Sequence, residues 1–448
     1  MKDIFKSLQI DDSQKLINNF FNQVKSSINI KGLVGSGLTF RLSWSYKLNP
    51  RNILFIAESI ELAQFYLNDF ETFIPKNNIY FFPSSFNSIK NIEDINDDNL
   101  LIRNEILSEK KYKKRIIITY PEAVSEKTIS RKVIENKTQK ISIGDKLSIE
   151  FINEILFEYE FERVDYVSKP GEFSVRGGII DVYSFSNQYP YRIEFYDDII
   201  DSLRTFNVEN QLSIEKYDTI YISPNIGKLF FNNYHSNSLI KSLPSDNICI
   251  IENLDTLIDL IEKNHNNFKT KELDDKTNNV FVSKNEIIED INTNSFISLS
   301  NNDFLKTSFN LKIQQSPQPS FNKKFDLIIN YLKVNSKNNI KNIICASTEE
   351  QGKRIENVFE QYKQKLSYDI VYYPIYQGFE DQKLKIAILT DHQIFDRYFK
   401  YRSRSKFKKN EALTIGEISD LNKGDFITHI DHGIGIFSGL QKINNDGI

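Results

Sequence analysis

Between residues 26 and 120, short runs of β-branched and aromatic residues alternate with longer stretches of helical period. "INIKGLV" runs into a glycine turn and then "RLSWSYKL"; "RNILFIA" is followed by "SIELAQFYLNDFETF", and "IYFF" by "NLLIRNEILSEK" and "RIIITY". This alternation predicts a parallel α/β layer. The pattern changes at about 125. One helix, "SIEFINEILFEYE", is followed as far as 223 by strands joined through turns, which predicts an α+β insert. Residues 224–320 are less regular, with Asn-rich loops such as "NHNNF" and "DDKTNN". After the Pro-bearing "QQSPQPSF" the α/β alternation resumes through "FDLIINYLKV", "NIICA", a helix from Ser347 with Glu350 closing a capping box, "DIVYY" and "KIAILT". The expected organisation is an α/β multidomain chain: 1–124, an insert over 125–223, 224–320, a small α/β domain over 321–400, a basic linker over 401–412 and a β-rich piece over 413–448. No tandem repeat is visible.

Composition narrows the class. The 448 residues carry 57 basic against 60 acidic side chains, a net charge of -3, so no global field for a polyanion is expected. Cys249 and Cys345 are too few for a disulfide scaffold or a zinc finger and fit a reducing cytosol. Apolar runs such as "NILFIA" and "NICII" are too short to span a bilayer, and the N-terminus has no apolar signal-type stretch, so a cytoplasmic protein with no membrane partner is expected. The C-terminal "DFITHIDHGIGIFSGL" reads as strands, and Gly433, Gly435 and Gly439 suit a small, curved barrel. A domain of about thirty residues from Glu417 cannot bury a core, so the chain is expected to continue past Ile448. His429 and His432 would point to opposite faces of a strand, which argues against a shared metal. No catalytic constellation and no metal site is expected.

Two stretches carry candidate chemistry. "GLVGSGLT", Gly32 to Thr39, follows a strand and precedes a helix. It satisfies the G-x-x-x-x-G-K-[ST] phosphate loop at Gly32, Gly37 and Thr39, with Gly35 between them, but Leu38 stands where the lysine would bridge the phosphates. Leucine supplies no charge there. "DNICIIENLDTL" resembles the strand that holds Mg²⁺ and activates water, but its tip is Glu252-Asn253, and Asn253 cannot act as a base. Together these read as a nucleotide site disabled at both ends; a glycine turn of no such ancestry is the alternative. In "SVRGGIIDVY", period-2 alternation predicts Arg176, Gly178, Ile180 and Val182 on one face. In "YRIEFY" it sets Tyr191, Ile193 and Phe195 against Arg192, Glu194 and Tyr196. A solvated face with Arg and Tyr suits a protein partner; ordinary solvated positions, with Arg192 paired across the sheet, are the alternative. The basic linker, with Arg397, Lys400, Arg402, Arg404, Lys406, Lys408 and Lys409, is either a phosphate contact or a solvated tether.

These motifs, in this order, resemble the N-terminal half of the bacterial transcription-repair coupling factor family (Mfd), of the Bacteroidetes type. "PGEFSVRGGIIDVY…YPYRIEFYDDIIDSLRTF" is similar to the insert which that family shares with the excision nuclease subunit UvrB. "GEISDLNKGDFITHIDHGIGIFSGL" resembles the start of the family's CarD-like RNA polymerase-interacting domain, and "ILTDHQIFDRYFK" the segment before its linker. The resemblance implies a degenerate phosphate-loop, UvrB-like α/β module split into domains 1A and 1B around the insert, then a truncated CarD-like β-barrel. UvrB carries "GSGKT" and "DESH" where this chain has "GSGLT" and "ENLD". The short, acidic "FFPSSFNSIKNIEDIN" implies no DNA-probing hairpin. By the same resemblance, Arg176, Arg192 and Tyr196 would contact UvrA, and Ile443 would be an apolar contact in an incomplete RNA polymerase site for the β subunit. ATP, Mg²⁺ and double-stranded DNA would belong to motor domains beyond Ile448, leaving this chain a non-catalytic adaptor without a cofactor. A UvrB-like nuclease or helicase subunit and a CarD-like polymerase regulator are the alternatives.

Overall fold

A computed structural model describes residues 4–86, 96–108, 114–129, 133, 136–185, 187, 189–224, 236–269, 280–300, 305–362, 365–399, 426–429 and 433–436. It divides into two compact units, Met1–Arg131 with Phe230–Arg404, and Lys132–Leu229 with Ser405–Ile448.

The first unit holds two sheets. The larger has seven strands, all parallel. Four come from the first part of the chain: β1 (Ser27–Lys31), β2 (Ile53–Ile56), β3 (Ile79–Phe81) and β4 (Ile116–Thr119). Ile248–Ile251, Ser295–Ser298 and Phe309–Lys312 complete it, in the order 309–312, β1, 295–298, 248–251, β2, β4, β3. Residues on both sides of the insert therefore build one sheet. β2, β4 and Ile248–Ile251 are buried at every position, as parallel strands covered on both faces must be. Helices α1 (Asp12–Asn22), α2 (Gly37–Leu48) and α3 (Ile60–Phe73) belong to this layer. The hydroxyl of Ser59 starts α3 by accepting from the Leu62 N–H, and Asp11 starts α1 by accepting from Gln14. α2 is buried along almost its whole length, from Gly37 to Tyr46.

The smaller sheet is mixed, in the order Gln315–Pro317, Phe379–Asp381, Ile386–Thr390, Lys341–Cys345, Asp369–Val371. Its helix Glu349–Glu360 starts one residue later than the capping-box expectation. Thr348 is the N-cap and accepts from Gln351, while Ser347 bonds the carboxylate of Asp391 at 2.9 Å. Asp391 competes for the Ser347 hydroxyl, and Thr348 takes the capping role.

In the second unit, six strands run in the order 213–216, 199–206, 191–196, 179–182, 172–176, 162–163, antiparallel except for the last pair. Their inner face and the helix Ile149–Glu158 share a core that includes Ile152, Leu156, Phe173, Ile180, Ile193 and Leu203. The expected common face for Arg176, Gly178, Ile180 and Val182 is wrong. The chain turns back at Gly177–Gly178, with Gly177 at φ 59° and Arg176 paired to Ile179. A two-residue hairpin reverses the direction, so one alternation cannot run through it. Ile180 and Val182 face the core, and Arg176 joins Asp181 on the other side.

From the C-terminal piece, Phe426–His429 and Gly433–Ile436 form an antiparallel pair. The described residues there contain no closed barrel.

Candidate functional site

The glycine loop leaves the carboxyl end of β1 and enters α2, where ligands of parallel α/β sheets bind. Gly32, Gly35 and Leu38 line a cavity of about 160 Å³ together with Ile30, Leu33, Tyr66, Glu252 and Leu299. The structure thus brings together Gly32, Gly35, Leu38 and Glu252 from the two separate motifs. Pockets for drug-sized ligands run to about 300–1,000 Å³, so this space is small for a nucleoside triphosphate. Leu38 is buried and adds apolar wall.

Several of the loop's polar groups are already engaged. The Gly37 N–H donates to the Val34 carbonyl at 2.9 Å, Leu38 N–H to Gly35 at 3.4 Å, and Val34 N–H to the Gln315 side-chain oxygen at 3.1 Å. In a working phosphate loop such amides cradle phosphate oxygens. Thr39, at the position of a Mg²⁺ ligand, instead donates to the Ser36 carbonyl at 3.0 Å and to buried Asp69 at 3.1 Å. Burial pushes the Asp69 carboxyl up to about 6, against the bonds from Ser36, Tyr376 and Thr39.

Glu252 stands at the tip of its strand and accepts from the Tyr66 hydroxyl and, at 2.8 Å, from the Glu58 N–H. Burial raises its carboxyl above the usual range, and burial beside Glu252 raises the Tyr66 phenol. Asn253 donates to Glu58 at 3.1 Å, and its side-chain oxygen accepts from the Thr256 N–H at 3.2 Å, which makes it a helix-starting residue. Among the described residues no group of three or more His, Cys, Asp and Glu side chains could hold a metal ion.

The second candidate lies on the outer face of the six-stranded sheet. Asp181, buried, receives Arg192 through Nε at 2.7 Å and Nη2 at 2.9 Å, and receives Arg176 as well. Arg192 also donates to Gln211 at 2.8 Å and lies over the Phe206 ring, while Arg176 lies over Tyr166. Glu194 pairs with Arg204 and accepts from Ser202 at 2.5 Å. The Arg204 hydrogen bond, with that of Ser202, holds the Glu194 carboxyl down to about 2. Tyr196 shares this face and is 78% exposed. The cross-strand pairing of Arg192 therefore exists, with Asp181 as partner.

Sequence reasoning missed Tyr66, Asp69, Gln315 and Asp181. An acid inside the apolar run "GGIIDVY" was a signal for Asp181; nothing local marks Gln315. Arg397 donates to Gln351 at 3.0 Å. The other basic-linker residues and Ile443 lie outside the described residues. Of "FFPSSFNSIKNIEDIN", Ser84 and Ser85 both donate to the buried Glu126 carboxylate, and 87–95 lie outside the described residues.

The chain thus joins an α/β module with a glycine loop at the end of β1 to a β-rich insert whose outer face carries arginines and an exposed tyrosine. Residues 140–227 match the UvrB interaction domain, and 421–448 match the CarD-like/TRCF RID domain. The chain is similar to the transcription-repair-coupling factor of Bacillus subtilis (strain 168), with 22% identity over 98% of this chain and 44% of that protein. The proteins of the same name from Staphylococcus aureus (strain bovine RF122 / ET3-1) and Staphylococcus haemolyticus (strain JCSC1435) are 22% and 25% identical, over 95% and 68% of the chain and 43% and 32% of theirs. The chain spans less than half the length of these relatives.

Proposed function

We propose that this chain is the adaptor part of a transcription-repair coupling factor. Its six-stranded insert recruits UvrA to a stalled RNA polymerase, and the 421–448 segment opens a CarD-like barrel that contacts the polymerase β subunit, with Ile443 an apolar contact. The chain works in the cytoplasm; among the described residues no helix is long and apolar enough to cross a membrane. Hydrolysis of ATP with Mg²⁺ and movement along double-stranded DNA belong to other parts of such a protein. Leu38, Asn253 and the engaged loop amides support a first module that turns over no nucleotide.

The observation that carries the reading is the match of 140–227 to the UvrB interaction domain, together with Tyr196 standing exposed beside the arginines. Charge reversal at Arg176 and Arg192 is a poor test, because both hold the buried Asp181 and their reversal would disturb the sheet. Tyr196→Ala removes only an exposed ring. Calorimetric titration with UvrA is expected to show a loss of about 2 kcal/mol or more, roughly 30-fold in affinity. Unchanged affinity in a variant that unfolds at the wild-type urea midpoint would remove Tyr196 from the interface.

A further inference from the structure

The glycines of the altered loop meet the chain's own residues. A Cβ on Gly32 would lie 2.1 Å from the Ile313 carbonyl oxygen, on Gly35 2.8 Å from Gln377 Cβ, and on Gly37 2.2 Å from the Gln315 side-chain oxygen. Close approach is what glycines provide in a phosphate loop, but the approaching groups here come from residues 313–377.

The polar contacts follow the same route. The Gln315 oxygen accepts from the Val34 N–H at 3.1 Å, and its amide nitrogen donates to Asp381 at 2.9 Å. Ser36 Oγ accepts from the Gln377 N–H at 2.9 Å. Asp69 bridges Thr39 Oγ1 and the Tyr376 N–H, the latter at 2.7 Å. One turn further along α2, Arg41, wholly buried, donates to Asp381 at 2.7 and 3.0 Å and to Asp11 at 2.9 and 3.2 Å. The Phe65 and Tyr376 rings stack at 3.8 Å.

We propose that the loop Gly32–Thr39 has exchanged a nucleotide for an internal ligand. The side chain of Gln315 and the Gln377 N–H hold it directly and the Tyr376 N–H holds it through Asp69, and so they lock the seven-stranded and five-stranded sheets of this unit together without any bound small molecule. In a nucleotide-driven pair of α/β layers the contact across the loop forms and breaks with the ligand. Here hydrogen bonds within one chain make it permanent. The proposal deepens the reading that this module turns over no nucleotide, and the test separates the two.

The test is hydrogen exchange on the whole chain, with and without millimolar Mg-ATP, for the wild type and for Gln315→Ala. Of the amides of Val34, Tyr376 and Gln377, only that of Val34 loses its acceptor in Gln315→Ala, which also removes the donor to Asp381. A single lock predicts exchange about tenfold faster at Val34 and also at Tyr376 and Gln377, whose own acceptors are intact. Faster exchange at Val34 alone, or at none of the three, overturns the lock. Mg-ATP is expected to leave exchange over 34–39 unchanged in the wild type. Slower exchange there in the wild type overturns both the lock and the nucleotide-free reading. Slower exchange only in Gln315→Ala supports the internal ligand, since removing it would have reopened the loop.

Discussion

Asp181 is one buried carboxylate between two guanidinium groups, and the outer face of the insert depends on it. Arg192 reaches it with two hydrogen bonds and Arg176 with one. Losing that carboxylate leaves Arg192, whose side chain is only 13% exposed, without its main partner. Asp181→Asn is expected to lower stability by about 3 kcal/mol, read as a fall in the urea midpoint, because an uncompensated charge is left in a desolvated place. An unchanged midpoint would show that Gln211 and the Phe206 ring suffice for Arg192. Tyr196 carries no such structural duty, which is why it separates binding from folding. At this scale the sequence was legible in residue types: Leu38 and Asn253 stand out against a motif of fixed spacing. Gln315 does not, because nothing near it in sequence announces a contact with Val34.

Along single elements, alternation was a reliable guide within a strand and failed at a turn. Tyr191, Ile193 and Phe195 do face the core opposite Arg192, Glu194 and Tyr196. Across Gly177–Gly178 the same reasoning carried Arg176 to the wrong side. The strand pair 191–196 and 199–206 carries a consequence for acid stability. Glu194, held down to about 2 by Arg204, has a lower pKa folded than unfolded. Its contribution is therefore fully present above the unfolded value of 4.5 and is lost as pH falls through about 2. Comparing Glu194→Gln with wild type, the gap in unfolding free energy is expected to be constant from pH 7 down to about 5 and to narrow below that. A gap independent of pH would mean that the Arg204 pair contributes nothing specific to the ionised form.

For the whole molecule, the two units differ in how their cores use the chain. Among the described residues, the core of the insert draws on Ile141 to Ile222. A polypeptide of residues 136–224 is expected to fold by itself and to unfold in urea as one cooperative transition. A gradual, non-cooperative loss of far-UV signal would show that the core needs support from elsewhere. The α/β class and the alternation of the flanking segments were readable in the sequence. That β1 sits between 295–298 and 309–312 was not, because parallel pairing is long-range and leaves no local mark.

That arrangement has a consequence for the order in which the protein is made. β1 leaves the ribosome first among the seven parallel strands, yet both of its neighbours are made last. β2, β3 and β4 can pair with one another as soon as Thr119 has emerged. β1, buried at four of its five positions, must wait through synthesis of the entire insert for its partners. During that interval a strand with Ile28 and Ile30 to bury is left without neighbours, a condition in which nascent chains aggregate or call on chaperones. The oldest part of the sheet in synthesis is thus the last to be completed.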